Sequence, residues 1–162
     1  MARLDESAQI LRRLWTQPVT TFAGRHYQLA EVPSDPKPVQ RPMPLWLASN
    51  GERRGLRVVA ERATGWLTAT FDTAPGDLTR LMGVLDRHCE AVGRDPGTLR
   101  RGVQFPLPEG DDEILEAVEA FAGAGFTDLV LMPRGGGLGR VEATATLLPR
   151  MRECLTTASG TS

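Results

Sequence analysis

The chain is poor in the residues that catalysis and metal binding most often use. Its 162 residues include two cysteines, two histidines and one tyrosine. Cys89 and Cys154 share no metal-ligand spacing and are too few for a disulfide framework, so both are expected to be buried, inert thiols within helices. His26 and His88 are the only imidazoles, and the spacing gives no Ser-His-Asp arrangement, metal cluster or catalytic carboxylate pair. No apolar run approaches the ~18 residues that a transmembrane helix needs. The opening segment, Met1-Ala2-Arg3-Leu4-Asp5-Glu6, lacks the apolar core of a secretory signal, which gives the expectation of a cytoplasmic chain. An excess of one charge is also missing. The net charge is −1, so there is no electrostatic case for nucleic acid or an anionic membrane as partner. Among the basic residues a single lysine, Lys37, stands against eighteen arginines. That bias reads as coding preference, not as a phosphate-binding surface.

What is present is an ordinary globular composition, 41% apolar and 24% charged, with the length for one domain and a sizeable core. Residues 5–15 read as a helix with Leu11, Leu14 and Trp15 in its apolar stripe. Residues 17–43 are proline-rich and hold two short β-like stretches, Thr20–Phe22 and Tyr27–Leu29, with Gly24 where a hairpin turn needs it. Strands then alternate with helices. Leu45–Ala48 precedes a helix over about 52–62, and Gly65–Ala69 precedes one over about 76–92 carrying Leu78, Leu81, Met82, Leu85, Cys89 and Val92 at helical spacing. A strand near Leu99–Leu107 leads to a helix opened by Asp111-Asp112-Glu113, with Ile114, Leu115, Val118, Phe121 and Ala122 as its buried stripe. Leu129–Met132 follows a Gly123-Ala124-Gly125 helix stop. A last helix runs from about Arg140 to Leu155, with Pro149 expected to kink or interrupt it. This alternation is the pattern of a parallel βα arrangement.

The most informative stretch is Pro44 to Arg53. A buried strand stops at Ser49-Asn50-Gly51, and an apolar pattern of helical period follows at Leu56, Val59, Ala60 and Ala63. Ser and Asn favour a helix start, Gly permits close backbone approach, and free N–H groups at such a corner attract phosphate. The plain alternative is a capped βα turn. Arg134-Gly135-Gly136-Gly137-Leu138-Gly139-Arg140 is a second glycine-rich turn that two arginines could make anion-binding, against the simpler reading of a flexible connector. Trp46 and Trp66 flank the first turn, where core packing is favoured over stacking on a ligand. His88 beside Cys89 is no nucleophilic pair.

Five pieces in order carry a resemblance: Leu11-Arg12-Arg13-Leu14-Trp15, the Val19–Leu29 hairpin, Pro36–Pro42 leading into Pro44–Leu56, Ala63-Thr64-Gly65-Trp66, and Gly93-Arg94-Asp95-Pro96. Together they resemble the C-terminal half of the luciferase-like monooxygenases, flavin- or deazaflavin-dependent (β/α)8 barrels. The resemblance implies an α/β fold, the C-terminal half of a TIM barrel with four βα units matching the fifth to eighth. It divides a single partial domain, 1–162, into a helix (1–16), an insertion (17–43), four βα units (44–155) and a frayed tail (156–162). It also implies FMN or a deazaflavin coenzyme, whose phosphate the family holds at the positions of Ala48, Ser49, Asn50, Gly51, Glu52 and Arg53. Here Ala48-Ser49-Asn50-Gly51 replaces the usual Gly-Gly-Ser-Gly; side-chain donors on Ser49 and Asn50 and the cation of Arg53 compensate. His26 stands where the family has an aromatic in its hairpin, so the resemblance implies a structural role for it.

A complete barrel of this kind takes about 250 residues. The family's ring- and substrate-contacting residues come mostly from the first four strands, so the catalytic residues are unknown. Half a parallel barrel leaves strand edges and an inner face uncovered. A homodimer, a complementary N-terminal half-barrel or a poorly folding remnant would answer that. The expected function is a fragment of an oxidoreductase or monooxygenase that supplies part of the cofactor phosphate site and is weak or inactive alone. The alternative is a non-catalytic flavin-binding or interaction module that pairs through its open edge.

Overall fold

The computed structural model describes residues 2–159, and no helix among them is long and apolar enough to cross a membrane. The chain divides into two compact units, residues 1–65 with 84–99 and residues 66–83 with 100–162.

The first unit opens with α1 (Ala2–Thr16), which begins three residues before the expected helix and buries Ala8 and Ile10. Leu11, expected in the apolar stripe, is exposed, and Leu14 and Trp15 are half-buried. Strands β1 (Val19–Ala23) and β2 (Gln28–Pro33) form the antiparallel hairpin, with Phe22 opposite Leu29 and Ala23 opposite Gln28. Its loop has no ladder of its own, so its amides find a side chain instead. The Glu6 carboxylate accepts from the backbone N–H groups of Arg25 at 3.0 Å, His26 at 2.9 Å and Tyr27 at 3.0 Å. Burial pushes the Glu6 carboxyl up, but those three backbone N–H groups and the nearby His26 outweigh it and hold it below the ordinary 4.5.

The proline-rich segment after β2 cannot join a sheet, because Pro36, Pro38 and Pro42 have no N–H to give. Lys37 anchors it. Its Nζ donates to the Leu14 carbonyl at 2.9 Å and the Ser34 carbonyl at 2.6 Å, covering an orphan carbonyl at the end of α1. Next come β3 (Trp46–Ala48) and α2 (Gly55–Arg62), which buries Leu56, Val58, Val59 and Ala60. Arg94 performs a similar service for α2, with Nη1 donating to the carbonyls of Ala60 at 3.1 Å and Ala63 at 2.7 Å. The loop that carries Arg94 is set by Asp95, whose side chain accepts from Gly97 N–H at 2.9 Å over a short turn, Pro96–Thr98.

The second unit is built from regular elements. Strands β4 (Gly65–Ala69), β5 (Arg100–Pro106) and β6 (Asp128–Met132) are joined by α3 (Leu78–Ala91), whose residues 84–91 count with the first unit, and α4 (Asp111–Gly123). The bounds of β4 are those expected, and the whole expected stripe of α4 is buried. On α3, Leu78, Leu81, Met82, Leu85 and Cys89 are buried, whereas Val92 lies beyond the helix and is exposed. Trp66, Phe105, Phe121 and Phe126 are fully buried together. Phe105 and Phe121 centroids lie 4.5 Å apart, Phe121 meets Phe126 edge-on at 5.8 Å, and Trp66 stacks near Phe126 at 6.2 Å. A second cluster gathers Leu107, Ile114, Leu115, Val118, Leu147 and Met151.

Within the second unit β4, β5 and β6 are neighbours in one sheet in chain order, with a helix between each pair. Strands β5 and β6 run parallel, Gly102 opposite Asp128 and Pro106 opposite Met132.

Two expectations at the C-terminal end are corrected. The single helix over about 140–155 is two helices, α5 (Gly137–Ala145) and α6 (Leu148–Ser159), and the chain breaks before Pro149. Pro149 falls in the first turn of α6, where its missing N–H has no helical partner to lose, so it neither kinks nor ends a helix. The expected frayed tail is helical through Ser159, and residues 160–162 lie outside the described residues. Cys154 is half-buried, not buried. Its thiol faces Glu119 Oε1 at 3.5 Å, and burial, then this carboxylate, push it above the usual thiol range.

Candidate functional site

Leu45 and Leu47 are buried and anchor β3, so the chain leaves its C-terminal end at a fixed place. The six expected site residues follow without interruption. Ala48 is the exposed last residue of the strand, Ser49 is half-buried, and Asn50, Gly51, Glu52 and Arg53 are exposed.

The turn differs from expectation in where its helix begins. Ser49 and Asn50 do not start α2. Three turn residues, 52–54, intervene, and the N-cap position is Arg54, which makes no side-chain capping bond. Ser49 instead turns inward locally, with Oγ accepting from Gly51 N–H at 3.3 Å. The wider turn is closed by Leu56 N–H on the Gly51 carbonyl at 3.0 Å. A short polar side chain that satisfies an amide two residues on stabilises a turn, not a helix start, and this competition moved the helix by three residues.

One contributor has no local signal in the sequence. His88, half-buried on α3, places Nε2 2.6 Å from the Glu52 carbonyl oxygen. Reading His88 only against its neighbour Cys89 missed this contact, because the two partners are 36 positions apart.

Trp46, the first residue of β3, is half-buried. A Cβ built on Gly65 would come 2.5 Å from Trp46 Cε3, so glycine there makes room for the indole. Trp66 belongs to the buried aromatic cluster, in agreement with packing as its role. His26 serves the hairpin through its backbone N–H.

The second glycine-rich turn is less suited to an anion. Gly135, Gly136 and Gly137 all have positive φ, and Gly136 is the N-cap of α5. Arg140 is committed elsewhere: its guanidinium donates to the Pro108 carbonyl and, at 3.0 Å, to the Glu109 carbonyl. One of the two arginines that motivated the reading is thereby taken.

Chemically, residues 48–53 offer backbone N–H groups, a hydroxyl, a carboxamide and a guanidinium, with Glu52 as the only acid. Such a donor set fits a phosphate.

Comparison with known proteins gives a consistent family. The chain is 29% identical over 112 residues to an F420-dependent glucose-6-phosphate dehydrogenase from Kineococcus radiotolerans, covering 68% of this chain and 32% of that protein. It is 26% identical over 129 residues to an FMNH(2)-dependent dimethylsulfone monooxygenase from Pseudomonas putida, covering 76% of this chain and 35% of that protein. The chain thus spans about a third of the length of these relatives. Its fold is similar to that of the coenzyme F420 dependent tetrahydromethanopterin reductase from Methanopyrus kandleri, with a TM-score of 0.58 at 14% identity over 75% of this chain and 35% of that one. The four strand-helix units are accordingly part of a TIM-barrel fold. Residues 1–151 match the sequence profile described as luciferase-like monooxygenase, and on that match the chain belongs to the luciferase-like monooxygenase family.

Proposed function

We propose that the chain works as part of a flavin- or deazaflavin-dependent oxidoreductase or monooxygenase, in which Ala48, Ser49, Asn50, Gly51, Glu52 and Arg53 hold the phosphate of FMN or of a deazaflavin coenzyme. The observation that carries this reading is the exposed, donor-rich turn placed directly at the C-terminal end of a barrel-type strand. Either cofactor would supply the redox chemistry. This chain's residues would bind and orient it: Ser49 and Asn50 through side-chain donors, Arg53 by charge.

Alone, the chain would be weak or inactive. The outer edge of β6 pairs with nothing among the described residues, and Val130 on it is exposed. An open edge of that kind calls for cover. A second copy of this chain or a complementary N-terminal half-barrel would supply it, and the pairing would complete the cofactor site.

Light scattering with and without FMN or the deazaflavin, combined with absorbance of the eluted protein, tests the proposal. A discrete dimer that retains cofactor, or turnover that appears when an N-terminal half from a relative is added, supports it. A chain that retains neither cofactor under either condition overturns it.

A further inference from the structure

The contact between His88 and Glu52 fixes more than one carbonyl. A carbonyl oxygen only accepts, so Nε2 of His88 carries a proton in this 2.6 Å contact, as the neutral Nε2–H tautomer or the imidazolium. A trans peptide is planar, with its C=O and N–H pointing in opposite directions. Holding the Glu52 carbonyl on the imidazole therefore holds the Arg53 N–H on the far side of the same plane. Beside it both backbone groups of Gly51 are engaged: its N–H on Ser49 Oγ, and its carbonyl on Leu56 N–H. Arg53 is exposed, and its N–H has no acceptor among the described residues.

We infer that His88 is a positioning residue of the cofactor turn: its imidazole locks the Glu52–Arg53 peptide so that the Arg53 N–H is presented to a phosphate oxygen. The inference rests on the proposed role of residues 48–53. It adds that the turn is organised before the ligand arrives, by a side chain from a helix that is remote in sequence. Preorganisation of this kind acts by sparing the ligand the entropic cost of ordering the loop. His88 need not touch the cofactor, and its contribution is the donated hydrogen bond, not its charge.

The test is a titration of the full chain with FMN, followed by amide NMR, for the wild type, His88→Ala and His88→Gln. Gln places an amide donor near the position of the imidazole Nε2. Expected are FMN-dependent shifts at residues 49–54 in the wild type, affinity lower by about two- to tenfold in His88→Ala, as for one lost hydrogen bond, and recovery to within about twofold in His88→Gln. The Arg53 amide resonance of the free protein should also move in His88→Ala and return in His88→Gln. Equal affinity in wild type and His88→Ala overturns the inference while leaving the phosphate turn intact. Equal losses in both variants overturn it too, since then imidazole shape and not donation matters. If FMN gives no shifts at 49–54 in the wild type, the titration is repeated with the deazaflavin coenzyme, and absence of shifts with both overturns the turn's role and the inference with it. If His88→Ala does not fold, His88→Phe takes its place: it keeps a ring but cannot donate, so wild-type affinity in that variant overturns the inference.

Discussion

The two units of the chain are held together by different means. In the second, four aromatic rings fill one buried cluster and the helices present unbroken apolar stripes. In the first, side chains reach across long sequence separations to main-chain groups: Glu6 to the hairpin amides, Lys37 to two carbonyls, Arg94 to the end of α2, and His88 to the turn after β3. The contrast follows from backbone accounting. Strands and helices satisfy their own N–H and C=O groups, so only apolar faces remain to be packed. A proline-rich insertion and an uncapped turn satisfy few, and side chains must do it for them.

The strongest way to test this contrast is Phe121→Ala, expected to destabilise the chain by about 3–5 kcal/mol in urea unfolding through loss of packing and the cavity left behind. Arg94→Ala should cost less, about 1.5–3 kcal/mol, by removing charged donors from two carbonyls at the C-terminal end of α2. If Arg94→Ala costs as much as Phe121→Ala, the division between apolar and polar support fails. Lys37→Met keeps the aliphatic stem and removes the ammonium, with an expected loss of about 0.5–1.5 kcal/mol and faster proteolysis between residues 34 and 43. The smallest effect is that of pH on the hairpin. Glu6 has a folded value below 4.5, so its contribution is full above that value and is lost as pH falls through the folded one. Amide exchange at residues 25–27 should quicken on acidification below 4.5, after correction for intrinsic rates, while amides of β5 stay protected. Glu6→Gln should abolish that pH dependence. Uniform loosening of both units would show that the acid response has another source.

Much of the second unit was legible in the sequence because its signals are local. Gly65–Ala69 and the α4 stripe follow from apolar periodicity alone. The family, too, could be read from short ordered motifs. The failures lie where two local signals compete or where the decisive partner is distant. Ser49 and Asn50 look like a helix start, yet Ser49 turns to Gly51 and the helix waits until Gly55. Thr146-Leu147 carries no obvious breaker, and the proline three residues on drew attention to the wrong place. At the candidate site, residues 48–53 are adjacent in sequence and can be named together from one motif, whereas the contact of His88 with Glu52 cannot, because periodicity says nothing about what a helix side chain touches 36 positions away.

The Lys37 clasp has a practical consequence. No other lysine side chain exists in this sequence, and this one is bound to two carbonyls across the end of α1. An amine-reactive reagent therefore meets a single side chain whose availability depends on one junction. Acylation of Lys37, read by mass spectrometry, would count the openings of that junction residue-specifically, without any engineered probe.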